Sequence, residues 1–197
     1  MMKIAITGSI GMGKSTVAAM FGRAGIPLFD ADAEVRRLQG KGGALVPAIE
    51  CRFPGSVRDG AVDRDALSET VLGKPAELAA LEAIVHPEVR RARARFIAGN
   101  AKAPALLFEI PLLFETGGEG AFDKVIVVSA PPEIQRRRVL KRAGMTAEKL
   151  DAILARQTPD EEKRDRADFV VDTGGPIAAT ERQVDQILAC LGLAASE

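Results

Sequence analysis

Gly8-Ser9-Ile10-Gly11-Met12-Gly13-Lys14-Ser15 sets three glycines, a lysine and two hydroxyls in eight consecutive residues, a composition suited to holding phosphate. The glycines allow backbone N–H groups to turn inward on one centre, and a helix beginning at Lys14 adds partial positive charge there. Lys14 brings a mobile cation for β- and γ-phosphates, and the Ser15 hydroxyl suits one position on a Mg²⁺ ion. Gly8, Gly11, Met12, Gly13, Lys14, Ser15 and Thr16 are the expected nucleotide contacts, with Thr16 bounding the pocket. A chance match to G-x-x-x-x-G-K-S/T in a chain of 197 residues has a probability on the order of one in a hundred, before the strand and helix context is demanded.

Phosphoryl transfer to an alcohol also needs a carboxylate to take the hydroxyl proton. Asp30 and Asp32 end a short apolar run, Ile26 to Phe29, and stand where an open parallel sheet binds ligands, although an aspartate there also fits the cap of a following helix. Glu109 closes Leu106-Leu107-Phe108, the position of an acidic group that holds Mg²⁺ or its water shell, or else of a solvated strand end. Arg138 and Arg142 are four residues apart in Gln135–Arg142 and would share a helix face, able to close over phosphates as a lid that excludes water. The remaining arginine cluster, Arg90, Arg91, Arg93 and Arg95, reads as solvent-facing. His86-Pro87 reads as a helix start and Asp63-Arg64 as a capped one, with His86 and Arg64 as additional candidate ligand contacts. The guanine-reading Asn-Lys-x-Asp element is missing, since Asn100 is the only asparagine, so ATP is the favoured nucleotide. Asp172-Thr173-Gly174-Gly175 comes too late for a switch element and reads as a loop beside the adenine.

The elements that must position these residues follow from periodicity. Lys3 to Thr7, Ile26 to Phe29, Ala105 to Phe108, Val125 to Val128 and Phe169 to Val171 read as strands, the third and fourth of them buried, and Lys14 to Arg23 as a helix. Strands separated by helices imply βαβ units and a mainly parallel sheet. Residues 35–97 are too long for a simple crossover and read as a mostly helical insertion suited to a second substrate. Residues 132–157 read as a second helical block, the lid, leaving 1–34, 98–131 and 158–197 as the core of one domain. With 47% apolar residues and equal numbers of acidic and basic side chains, 27 each, the chain can bury a core without disulfides. Zero net charge and the absence of Trp and Tyr argue against a nucleic-acid partner. A single histidine and two distant cysteines leave no material for a zinc site. No apolar run is long enough for a signal peptide or a membrane span, so a cytoplasmic location without a membrane partner is expected. On these residues alone, a kinase for a small molecule or a nucleoside monophosphate and a non-enzymatic ATP-binding regulator both stay open.

Phe29-Asp30-Ala31-Asp32, Gly60-Ala61-Val62-Asp63-Arg64 with Leu67, Leu81-Glu82 and Ile84 before His86-Pro87, Pro111-Leu112-Leu113-Phe114-Glu115, Gln135 with Arg138 and Arg142, Gln157 and Ala167-Asp168 occur in that order. Together with the phosphate loop they resemble the dephospho-CoA kinase family over nearly the whole chain. The resemblance implies a P-loop, nucleoside-monophosphate-kinase-like α/β/α fold with a five-stranded parallel sheet, a helical CoA-binding insertion and a lid. It implies ATP with Mg²⁺ as phosphoryl donor and the ribose 3′-hydroxyl of dephospho-CoA as acceptor. Asp32 is then the base, Lys14, Arg138 and Arg142 the charge-stabilising groups, Ser15 and Glu109 the metal residues, and Asp32, Arg64 and His86 the acceptor contacts. Three positions depart from the family pattern: Glu109 where Asp is usual, Pro54 within a segment that usually reads Phe-Gly, and Asp172 where Asn is usual.

Overall fold

The computed structural model describes residues 1–194; residues 195–197, assigned above to the core, lie outside the described residues. In chain order the elements are β1 (Met2–Thr7), α1 (Lys14–Arg23), β2 (Leu28–Asp30), α2 (Ala31–Gln39), α3 (Val46–Arg52), β3 (Val57–Arg58), β4 (Ala61–Val62) and α4 (Arg64–Val71). They continue with α5 (Pro75–Gly99), β5 (Ala105–Glu109), β6 (Lys124–Ser129), α6 (Pro132–Leu140), α7 (Ala147–Leu154), α8 (Asp160–Asp165), β7 (Phe169–Asp172) and α9 (Ile177–Cys190). Two compact units result, one formed by Met1–Phe29 with the chain from Asn100 onward, the other by Asp30–Gly99.

The first unit is built on a five-stranded parallel sheet of order β2-β5-β1-β6-β7. Covered on both faces, its central strands are continuous apolar runs: Ile4, Ala5 and Ile6 in β1 and Val125 to Val128 in β6 are all buried. Side-chain alternation splits β1 between two cores. Ile4 and Ile6 pack with Val17 and Phe21 of α1 and Val184 and Ile187 of α9, while Ala5 joins Leu113, Phe114 and Val127. All five strands expected from the sequence form, and α1 has the bounds read from its apolar spacing.

The second unit holds α2 to α5 around Leu38, Leu45, Ile49, Phe53, Leu67 and Val71. Leu38 is the buried residue of α2, so that helix groups here, and the unit, Asp30–Gly99, takes in residues 30–34 and 98–99, which the sequence reading places in the core. Two features differ from the sequence reading. Pro87 does not start a helix; α5 runs unbroken through it, because Leu81, Ile84, Val85 and Val89 pack on one core from both sides of the proline. Burial of that stripe outweighs the lost Pro87 N–H bond. A small antiparallel hairpin, β3 with β4, interrupts the helices at Asp59-Gly60, where both residues have positive φ, 51° and 79°. Asp-Gly is the pair such a two-residue turn prefers, so this hairpin carried a readable signal.

Candidate active site

The phosphate-binding pattern lies where β1, the middle strand, hands over to α1. Gly8 leaves the strand at φ +147°, and a Cβ on it would lie 2.2 Å from the carbonyl oxygen of Val128, so only glycine passes beneath β6 here. No side chain caps α1, whose Ncap is Gly13. The positive end of its dipole is therefore left to an anion. The Lys14 ammonium donates to the carbonyls of Gly8 at 2.7 Å and Ser9 at 3.3 Å, folding back across the loop it follows.

Ser15, in the first turn of α1, donates its hydroxyl to Glu109 Oε1 at 2.9 Å. Glu109 is only 7% exposed, so it is no solvated strand end. The parallel pairing of β1 with β5 brings the two together across 94 residues of chain. A hydroxyl and a carboxylate are both hard oxygen donors of the kind Mg²⁺ takes, so the pair fits that ion.

Arg138 donates to the Thr173 hydroxyl at 2.9 Å and to the Thr173 carbonyl at 2.6 Å. Thr173 in turn donates to the Met12 carbonyl at 2.7 Å, which ties α6 to the phosphate loop. Helix α6 stops at Leu140, so Arg142 lies beyond it and not one turn above Arg138 on a continuous helix. The reason is local: the connection holds Gly144 at φ +73°, and the Thr146 hydroxyl caps α7. Arg138 and Arg142 nevertheless line one cavity of about 340 Å³ with Gly11, Gly13, Thr16, Thr173 and Gly175. Met12 is 3% exposed. It lines a different cavity, of about 700 Å³, with Pro131, Gln135 and Asp160.

In the second unit the two strand-end carboxylates separate in role. Asp30 Oδ1 accepts the Ala33 N–H at 2.8 Å, so Asp30 is the cap of α2, with Arg36 at 3.6 Å from Oδ2. Asp32, two residues on, lines a cavity of about 380 Å³ with Arg36, Arg64, Leu67, Val71 and Leu81. Asp63 accepts N–H groups of Asp65 and Ala66, each at 3.1 Å, and so caps the helix that Arg64 opens. His86 is exposed on α5 and is not part of that cavity's lining. Arg90, Arg91 and Arg95 face solvent as expected; Arg93 does not, and its partial burial lowers the affinity of its guanidinium for the proton.

Some contacts around the phosphate loop involve residues to which the sequence reading assigns no role. Gln135 donates to the Ile10 carbonyl at 2.8 Å, and the Ile10 N–H donates to Gln157 at 3.2 Å. Lys163 is wholly buried, 2.8 Å from Glu115 Oε1 and 3.3 Å from the Ser9 hydroxyl. Burial opposes the charge of Glu115, but the Lys163 ammonium and backbone N–H groups outweigh it and hold the carboxyl below its ordinary range. A lysine inside a charged run, Asp160-Glu161-Glu162-Lys163-Arg164, offers no periodic sign that it points inward.

A parallel sheet whose middle strand runs into a phosphate loop, with a hydroxyl and a carboxylate paired beside it, defines an α/β P-loop nucleotide-binding protein of the kinase type. A shikimate kinase structure from Acinetobacter baumannii shares that fold alone, at 15% identity and a TM-score of 0.55 over 98% of this chain and 94% of its own. The chain belongs to the dephospho-CoA kinase family, whose model matches residues 2–179. Among its relatives, the Mesorhizobium japonicum dephospho-CoA kinase is 53% identical over 190 residues, 95% of each chain. The Bradyrhizobium diazoefficiens dephospho-CoA kinase is 52% identical over 188 residues, 94% of each chain. A crystal structure of a Thermus thermophilus protein superposes with a TM-score of 0.83 at 42% identity, covering 96% of this chain and 97% of that one. Among the described residues no helix is long and apolar enough to cross a membrane.

Proposed function

We propose that the protein transfers the terminal phosphoryl group of ATP to the ribose 3′-hydroxyl of dephospho-CoA, giving ADP and CoA. The observation that carries this reading is the meeting of Ser15 with Glu109 beside Lys14 and an uncapped helix, in a chain of this family. Lys14 donates to the loop carbonyls of Gly8 and Ser9, and its flexible four-carbon stem can carry the ammonium onto phosphate oxygens as charge grows there. Ser15 and Glu109 would hold Mg²⁺, which when bound neutralises phosphate charge. Arg138 and Arg142 face the same cavity as the loop glycines, which supports a role in binding the nucleotide, stabilising transferred charge and excluding water.

For the acceptor, the reading rests on Asp32 and Arg64, which share one cavity wall. Asp32 receives the proton of the attacking hydroxyl, and Arg64 pairs with an acceptor phosphate. Asp30 is committed to its cap and so leaves the base role to Asp32. His86, outside that wall, has no part in this reading. The apolar residues beside them, Leu67, Val71 and Leu81, suit a base or a pantetheine arm.

The test is incubation with MgATP and, in separate arms, dephospho-CoA, AMP or no acceptor, read by mass. One phosphate gained on dephospho-CoA and mapped to the 3′ position is the expected result. Phosphate gained on AMP alone would assign a nucleoside monophosphate kinase. Binding of ATP without transfer in any arm would assign a regulator.

A further inference from the structure

Gln135, Gln157 and Glu115 have no role in the transfer mechanism, and the structure joins all three to one stretch of the phosphate loop, the glutamines directly and Glu115 through Lys163. The two peptide groups of Ile10 are gripped by side chains from opposite ends of residues 132–157. Gln135 of α6 supplies a donor to the carbonyl, and Gln157, beyond α7, supplies an acceptor to the N–H. Behind them Glu115 accepts the N–H of Thr158 at 2.8 Å, fixing the turn that presents Gln157. Lys163 joins Glu115 to the hydroxyl of Ser9. Glu115 balances the buried Lys163 ammonium, so the lysine can reach Ser9 without leaving an unpaired charge in the interior.

We propose that Gln135 and Gln157, backed by the Lys163–Glu115 pair, are positioning residues that hold Ser9-Ile10 in the shape that receives the triphosphate. They also fasten the loop to the helix that carries Arg138, three residues after Gln135. A loop held this way needs little ordering when phosphate arrives, and its N–H groups stay aimed. This inference rests on the phosphate-loop reading above.

The test exploits the opposite polarity of the two glutamines. Glutamate at position 157 keeps an oxygen for the Ile10 N–H, whereas glutamate at position 135 sets an acceptor against the Ile10 carbonyl. ATP affinity by calorimetry, KM for ATP and for dephospho-CoA, and melting temperature are measured for Gln135→Glu, Gln157→Glu, Gln157→Ala and Lys14→Ala. Gln135→Glu should weaken ATP about five- to fiftyfold, and Gln157→Ala about three- to tenfold, with KM for dephospho-CoA changed by less than about twofold. Gln157→Glu keeps the acceptor but adds charge near the triphosphate, and should lose less ATP affinity than Gln135→Glu by about threefold or more. If Gln135→Glu does not fold, Gln135→Met removes the donor without charge and is read the same way. Equal losses in the two glutamate variants, or lower melting temperatures with unchanged ATP affinity, would overturn the proposal. Should Lys14→Ala leave ATP affinity intact, the loop reading itself falls; should it abolish binding while both glutamine positions prove indifferent, only the present inference falls.

Discussion

Lys14, Asp32 and Glu109 carry three separable predictions, because each is assigned a different piece of the transfer. Lys14→Ala removes the only side-chain cation that the loop itself supplies, and should lower kcat/KM for ATP by about two to four orders of magnitude whichever acceptor is offered. Asp32→Asn should lower kcat by a similar factor of about 10² to 10⁴ while ATP binds as before, since the carboxylate acts on the acceptor proton and not on the triphosphate. Near-normal turnover in that variant would remove Asp32 from the base role. Glu109→Gln keeps the volume and the bond from Ser15 but lowers the charge on its partner. Its Mg²⁺ requirement should rise about tenfold or more, measured as the metal concentration for half-maximal rate.

At the scale of elements, α5 shows how tertiary burial overrides a local signal. Its stripe of Leu81, Ile84, Val85 and Val89 continues across Pro87, so the helix stays whole where the proline alone suggests a start. Pro87→Ala restores a backbone donor within the helix and should raise the unfolding free energy by about 1–3 kcal/mol in urea titration. A decrease would mean that the packing of α5 depends on the ring itself. Helix α6 makes the reverse point, ending before Arg142 although charge and spacing continue, because the following turn and the Thr146 cap claim the chain.

The whole molecule's dependence on acid follows from carboxylates whose charge the fold favours. Burial works against ionised Asp168 and Glu115, but Lys124 with the Val125 N–H, and Lys163 with the Thr158 N–H, more than compensate. Both groups are thus held below their ordinary range in the folded state. As pH falls the unfolded chain binds these protons first, so their stabilisation is complete above about pH 5 and fades as pH drops through the folded values. Asp168→Asn should be less stable than the parent near neutrality, and the difference should shrink towards about pH 3, as read from denaturant midpoints. A constant difference across that range would show that Asp168 contributes by hydrogen bonding alone.

Local chemistry by itself determined the phosphate loop, the five strands of the sheet and the helix that follows the loop, because glycine spacing and unbroken apolar runs admit few other structures. It left Asp30 and Asp32 equivalent, since spacing reports neither which carboxylate meets the first N–H groups of a helix nor which meets a cavity. The family motif points to Asp32, and the folded chain adds a physical distinction by turning Asp30 onto the Ala33 N–H and placing Asp32 in a cavity with Arg64. The same holds for Ser15 with Glu109 and for Lys163 with Glu115 and Ser9: these contacts join residues far apart in sequence, and strand pairing and burial, not local pattern, select them.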